Sequence, residues 1–173
     1  MKKSRVESQV SRPGRTGERR EERPDAAAIS RRSLLSGFAG MAAANLAFYR
    51  ALEARNLSAM DQVWLHDESS TCVHPGWHRL NGWEEVRRSW ENIFANARRW
   101  TVACEDIRIH VVEDAAWVTC TELLTLSGTD ADDEPARMQA TNIFARHESV
   151  WRLLHHHASA FATETADEEE PVN

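Results

Sequence analysis

The sequence of 173 residues has few cysteines, a single tyrosine and no long apolar segment. Cys72, Cys104 and Cys120 are odd in number and form no C-x-x-C pair, which argues against a disulfide framework or a zinc ribbon. Reduced thiols are typical of cytoplasmic proteins. No segment reaches the roughly 18 consecutive apolar residues that a membrane-spanning helix needs. The sequence therefore predicts a cytoplasmic chain without a membrane span.

Basic residues are scarce outside the N-terminal part of the chain. The first 33 residues hold ten Lys and Arg against five Asp and Glu, about +5, so the remainder carries about −11 of the total of −6. A nucleic-acid-binding domain needs a basic face to neutralise phosphates. The acidic body therefore argues against nucleic acid as a partner.

Composition divides the chain into three parts. Residues 1–35 are rich in Arg, Glu and Ser, and residues 162–173 are acidic, so both are predicted to be disordered extensions. The part between them, residues 36–161, is predicted to form a single domain. Arg31 and Arg32 precede an apolar run, which is the outline of a twin-arginine export signal. Export is therefore the alternative to a cytoplasmic location.

Hydrophobic periodicity predicts helices first and strands second. Helical spacing predicts helices over residues 35–54 and 58–65 and a third helix from about residue 82. From Trp100 onward the period changes to two, which is typical of an antiparallel meander. The predicted fold class is α+β, with three N-terminal helices packed in a strongly curved antiparallel sheet.

Six segments occur in a fixed order over about residues 43–161: AFYRALEARNLSAMDQVW, CVHPGW, GWEEVRRSW, AWVTCTE, ATNIF and WRLLHHHAS. In this order they resemble the SnoaL-like branch of the nuclear transport factor 2-like superfamily, which is related to ketosteroid isomerase. The resemblance implies a cone-shaped fold in which a bent sheet wraps the first helix. It also implies a pocket at the open end of the cone and a homodimer built on the outer face of the sheet. The superfamily includes isomerases, cyclases, dehydratases and binding domains, so the fold does not specify a reaction.

The resemblance to ketosteroid isomerase also implies site residues. That enzyme uses an Asp base opposite an oxyanion hole made of a Tyr and a protonated Asp. The matching positions here are Phe48 for the Tyr, His74 for the base and Asn142 for the acidic donor. Phe48 cannot donate a hydrogen bond, whereas His74 can accept a proton near neutral pH and Asn142 can donate to an oxyanion. The next residue, Tyr49, is expected to point about 100° away from Phe48 and not to replace the missing hydroxyl.

The segment HPGWHRLNGW is predicted to form one lip of the pocket, because its Pro and Gly favour a sharp turn between strand and helix. Aromatic and imidazole side chains are predicted to line the pocket, although the tryptophans are equally suited to a core. The predicted ligand-binding residues are Phe48, Trp64, Trp77, Trp90, His155 and His157.

Two functions fit these residues. The first is a cofactor-free isomerase, cyclase or lyase that transfers a proton on a small hydrophobic carbonyl compound, with His74 as base and Asn142 as oxyanion donor. The second is a non-catalytic dimeric domain that binds a ligand or a protein. A metal site built from His155, His157, His74 or His78 with Glu122 is a weaker alternative, since the resemblance does not imply a metal. The sequence leaves the choice between enzyme and binding domain open.

Overall fold

The computed structural model describes residues 31–95, 99–128 and 134–161, with side chains from residue 36. The elements in chain order are α1 (Arg31–Ala54), α2 (Leu57–Val63), β1 (Thr71–Val73), β2 (Leu80–Asn81), α3 (Trp83–Ala95), β3 (Trp100–Val112), β4 (Ala115–Leu126), β5 (Ala136–His147) and β6 (Val150–Ala160). The predicted order of helices followed by strands is confirmed. Residues 1–30 and 162–173, which hold nearly all of the two predicted extensions, lie outside the described residues.

The helices begin where local sequence favours it. Asn56 caps α2 by accepting a hydrogen bond from the backbone N–H of Ala59 at 3.0 Å. Glu84 and Glu85 occupy the first turn of α3, where negative charge is stabilised by the helix dipole. Helix α1 starts at Arg31, four residues before the predicted start, so the paired arginines belong to its first turn. None of the helices in the described ranges is long and apolar enough to cross a membrane, and the cellular location stays a prediction.

The sheet has the strand order β2-β1-β6-β5-β4-β3, in which β1 runs parallel to β6 and the other neighbours are antiparallel. Helix α1 contacts both β3 and β6. These strands lie three spacings apart, about 14 Å, whereas a helix with its side chains is about 10–12 Å wide. The sheet therefore curves around α1, as predicted. Strand β2 was not predicted, because two residues are too short for an alternating pattern.

The concave face of the sheet, which we call the inner face, packs against the helices. Its buried side chains alternate along each strand: Ala116, Val118, Cys120 and Glu122 on β4, and Met138, Ala140, Asn142 and Phe144 on β5. On β6 the alternation is interrupted, since Phe144 pairs with Leu153 and Ile143 pairs with His155. Leu154 is therefore an extra residue, a β-bulge, and it changes which of the following side chains face inward.

Candidate functional site

Five polar side chains are almost completely buried between α1 and the inner face. They come from one helix and three strands, and none is more than 7% exposed. Isolated buried polar groups are costly, so such a group is normally satisfied by hydrogen bonds. We call this set the polar centre: Asn45, Tyr49, Glu122, Asn142 and His156.

The hydrogen bonds of the polar centre run in one direction. Asn142 donates from Nδ2 to Asn45 Oδ1 at 2.9 Å and to the Tyr49 hydroxyl oxygen at 3.1 Å. Its Oδ1 is then an acceptor, so His156 donates to it from Nδ1 at 2.7 Å. Tyr49 in turn donates to Glu122 Oε1 at 2.8 Å. The chain of donors from His156 through Asn142 and Tyr49 thus ends on the Glu122 carboxyl.

Burial shifts the protonation of these groups. Burial raises the pKa of Glu122 to about 7, against a smaller lowering effect of the Tyr49 hydrogen bond. Burial, and next the charge of Glu122, also raise the pKa of Tyr49. The pKa of His156 is lowered to about 3, chiefly by burial. Near neutral pH the polar centre therefore holds a neutral imidazole, a protonated phenol and a carboxyl close to its midpoint of ionisation.

His74 is also buried, and it lies beside the polar centre. Its Nε2 is 2.8 Å from Ser89 Oγ, and Ser89 uses its own proton to donate to the Val86 carbonyl at 2.7 Å. His74 must therefore donate from Nε2, which leaves Nδ1 as its lone-pair nitrogen. Burial lowers the pKa of His74 to about 4. The imidazole is neutral at physiological pH and holds its proton weakly.

Aromatic contacts connect His74 with the polar centre. The Trp90 ring lies 4.6 Å from His74, 5.9 Å from Phe48 and 6.0 Å from His156, centroid to centroid. Phe48 lies 4.9 Å from His156, which hydrogen-bonds to Asn142. The two predicted catalytic residues, His74 and Asn142, are thus linked through Trp90 and His156.

The predicted positions of two histidines are corrected by the structure. His155 and His157 lie on the outer face of the sheet, where His155 Nδ1 is 2.7 Å from Thr71 Oγ1 and His157 is exposed. The residue that faces inward is His156. The cause is the bulge at Leu154, which shifts the alternation after Leu153 by one residue.

The expected orientation of Tyr49 is corrected as well. Phe48 and Tyr49 point to adjoining sides of α1, as their neighbouring positions require, but both sides are buried. The sheet curves far enough around the helix to cover both. The hydroxyl that Phe48 lacks is therefore supplied by Tyr49, at a different angle, within hydrogen-bonding distance of Asn142 and Glu122.

The four other predicted ligand-binding residues fall into separate places. Phe48 and Trp90 are buried beside the polar centre. Trp77 is 48% exposed and packs edge-on against His74 at 5.0 Å, which suits the predicted lip. Trp64 packs against Trp83 at 6.0 Å. Trp64 also lines a different cavity of about 500 Å³, together with Asp61, Gln62, Leu65, His66, Asp67, His147 and Arg152.

Two further observations bear on what the site can bind. The indole N–H of Trp90 is buried and finds no acceptor within residues 31–95, 99–128 and 134–161. Across the same ranges, no three His, Cys, Asp or Glu side chains cluster closely enough to hold a metal ion. The site therefore offers one unpaired donor beside a buried carboxyl, and the described residues do not provide the ligands of the metal alternative.

A curved antiparallel sheet closed around one helix, with polar groups on its inner face, defines the class of fold, and comparison with known proteins identifies the family. Residues 41–164 match the family model of the SnoaL-like domain, and the chain belongs to this family. The predicted family and fold class are confirmed.

Two solved structures illustrate the range of the fold. A proposed dehydratase of the NTF2-like family from Streptomyces avermitilis is 32% identical, with a TM-score of 0.68, over 75% of this chain and 99% of that chain. A proposed calcium/calmodulin-dependent protein kinase type II association domain from Thiobacillus denitrificans is 33% identical, with a TM-score of 0.63, over 69% and 94%.

One curated protein is similar in sequence. The F-box protein SKIP8 of Arabidopsis thaliana is 29% identical over 115 residues, which cover 66% of this chain. The match spans 47% of that protein, about half of its length. These relatives differ in described role, so the family alone does not specify a reaction.

Proposed function

We propose that this domain binds a small, uncharged, hydrophobic carbonyl compound inside the curved sheet and transfers a proton on it without a cofactor. The observation that carries the proposal is the chain of hydrogen bonds that ends on the buried Glu122 carboxyl. A general base works best when its pKa lies near the working pH, and the pKa of Glu122 is raised to about 7. A buried group with a perturbed pKa is also a typical mark of a functional site.

The character of the ligand follows from the surroundings of the carboxyl. The neighbouring walls are aromatic, since Phe48 and Phe94 both pack against Trp90. An anionic ligand next to Glu122 would be repelled strongly in this poorly solvated environment. The unpaired indole N–H of Trp90 is suited to a carbonyl oxygen, because an unsatisfied buried donor costs free energy that an acceptor recovers. An uncharged ketone with an aromatic or alicyclic body fits these conditions best.

The proposed roles differ from those expected from sequence. Glu122 accepts the proton, because the pKa of His74 is lowered to about 4 and makes His74 a much weaker base. Asn142 already donates both amide hydrogens, so it acts as a positioning residue that holds Tyr49 against Glu122. His74 becomes a neutral part of the wall.

Exchange of α-protons tests this proposal directly. We expect 1-tetralone, acetophenone or a related aryl ketone to quench the tryptophan fluorescence of the protein on binding. We also expect the protein to accelerate deuterium incorporation at the α-carbon in D₂O, followed by NMR. Glu122→Gln should retain binding and lose at least tenfold in exchange rate, whereas the outer-face control His157→Ala should leave both unchanged. Absence of ketone binding by the wild-type protein, or full exchange activity in Glu122→Gln, would exclude the proposed reaction.

A second candidate function, a non-catalytic dimeric domain, is favoured by the outer face of the sheet. Trp117 is 38% exposed there and stacks on His110 with a centroid distance of 4.9 Å. Its neighbour across β4 and β5 is Ile143. Exposed aromatic residues on a sheet are typical of association surfaces. We propose that two chains associate through this face, in addition to or instead of catalysis.

Sedimentation velocity distinguishes the associated form from a monomer. The wild-type protein should sediment as a dimer at micromolar concentration, and Trp117→Glu should raise the dissociation constant at least tenfold. Leu46→Glu, which changes an exposed apolar residue on α1, is the matched control and should leave the dimer intact. A wild-type protein that sediments as a monomer throughout would rule out this association.

A further inference from the structure

Two thiols lie next to each other on the inner face of strands β3 and β4. Cys104 pairs directly with Glu122 across the two strands, and Cys120 precedes Glu122 by two residues on β4. Cys104 and Cys120 are therefore diagonal neighbours on the same face. Their side chains are hydrogen-bonded to each other. The two sulfur atoms are thus already in contact in the reduced protein.

The backbone at this point departs from a regular ladder. The register shifts between Glu105 and Arg108, and Asp106 adopts a positive φ of 51°. Diagonal residues in a regular antiparallel pair are about 7–8 Å apart at Cα, near the upper limit for a disulfide. A bulge bends its strand and increases the local twist. The bulge beside Cys104 therefore gives β3 the freedom to bring the two sulfur atoms to bonding distance.

The two cysteines differ in access to solvent. Cys104 is half-buried and Cys120 is buried, so a small reagent reaches Cys104 first. Cys120 Sγ lies 3.2 Å from the Tyr49 hydroxyl, on the side toward the polar centre. The hydrogen bonds from Cys104 and Tyr49 lower the pKa of Cys120 against the opposing effect of burial. The inner thiol is therefore well suited to attack an oxidised Cys104.

We propose that Cys104 and Cys120 form an oxidisable dithiol site whose co-substrate is a peroxide. This assignment is independent of the proposed ketone chemistry. In the first step the Cys104 sulfur attacks hydrogen peroxide, an S–O bond forms, the O–O bond breaks, and one water leaves, which gives a sulfenic acid. In the second step the Cys120 sulfur attacks the Cys104 sulfur, the S–S bond forms, and the S–O bond breaks. The hydroxyl group leaves as a second water with the Cys120 proton.

Cys72 provides an internal comparison. It is fully buried, and its sulfur lies against the His74 ring, 3.8 Å from Nε2. Burial raises its pKa, so its thiolate is even less accessible. A reagent that simply oxidised all cysteines would consume Cys72 too, whereas the proposed site spares it.

Peptide mapping of the peroxide-treated full chain tests the site. Trypsin cleaves after Arg108, between the two cysteines, so the disulfide joins the peptides 100–108 and 109–137. We expect peroxide to leave one alkylatable thiol of the three per chain, in peptide 56–79, and dithiothreitol to restore all three. Cys72→Ser should still form the cross-link, and Cys120→Ser should instead accumulate a dimedone-reactive sulfenic acid on Cys104.

Each other outcome of the mapping overturns the proposal. A cross-link that involves Cys72, or a cross-link between two chains, would place the reactive pair elsewhere. Survival of all three thiols at a peroxide dose that oxidises free cysteine would show that the site is inert. The wild-type peptide map decides the matter even if a serine variant fails to fold.

Discussion

The two faces of the four long strands are built from alternate residues of the same sequence, yet they differ in character. The inner face holds polar groups that are buried and hydrogen-bonded to one another, such as Glu122 and Asn142. The outer face exposes apolar groups, such as Trp117. Polar groups inside and large apolar groups outside are each the less common arrangement, and each therefore indicates a function. The inner face fits a ligand, and the outer face fits a second chain.

The largest expected difference between the faces is in stability. Trp90→Ala should lower the free energy of unfolding by about 3–5 kcal/mol, as truncation of a buried aromatic does. Trp90 packs on Phe48, His74 and Phe94 and is nearly inaccessible. Trp117→Ala on the outer face should cost about 1 kcal/mol or less at protein concentrations low enough to avoid association. Urea titrations of both variants give the two values. Equal losses would mean that the two faces are packed alike.

The second expected effect is a pH dependence that belongs to the inner face. The pKa of Glu122 is raised to about 7 from 4.5, so the folded chain binds this proton more tightly than the unfolded chain does. Its contribution to stability is full below pH 4.5 and is lost as the pH rises through about 7. At about 1.4 kcal/mol per pH unit, wild type should lose about 3 kcal/mol relative to Glu122→Gln over this range.

The reference variant in this experiment removes a competing trend. The lowered pKa values of His74 and His156 make stability fall as the pH drops below 6.5, the opposite direction. Both histidines are present in Glu122→Gln, so their contribution cancels in the difference. Glu105→Gln, which breaks an exposed ion pair with Arg137, should change stability by about 0.5 kcal/mol or less. A difference between wild type and Glu122→Gln that does not vary with pH would contradict the buried state of the carboxyl.

The third expected effect separates neighbouring histidines. His156→Ala should destabilise the fold by about 1–3 kcal/mol, since it leaves the Asn142 Oδ1 without its donor. His157→Ala, one residue along and exposed, should change stability by about 0.5 kcal/mol or less. Thermal unfolding of the pair measures the difference. The reverse order of the two losses would place the bulge at a residue other than Leu154.

Most of the fold could be predicted from sequence, because long periodic segments carry their own signal. The four strands after Trp100 alternate over 11 to 13 residues each, and the stripe on α3 repeats at helical spacing. Neither pattern depends on tertiary contacts.

The site was less predictable, because it depends on two tertiary features. The bulge at Leu154 reverses the alternation on β6, and nothing in the letters LLHHHAS marks the extra residue. The curvature of the sheet buries two sides of α1, which brings Tyr49 into the polar centre although it neighbours Phe48. The resemblance drew attention to Phe48 and Asn142. It gave no indication of Glu122, whose strand position was noted only as a metal ligand.

The smallest expected effect concerns the lip of the site. Trp77 is 48% exposed and packs on one side of the buried His74. Trp77→Ala should therefore change the free energy of unfolding by about 0.5 kcal/mol or less. It should nevertheless raise the pKa of His74 above about 4, because burial is the cause of the lowered value and the variant admits water to the ring. NMR titration of the histidine ring protons measures the shift, with His66, which stacks on Trp83, as the internal reference. An unchanged His74 titration in a stable Trp77→Ala variant would mean that Trp90 and Ser89 alone shield the imidazole, and that Trp77 does not close the site.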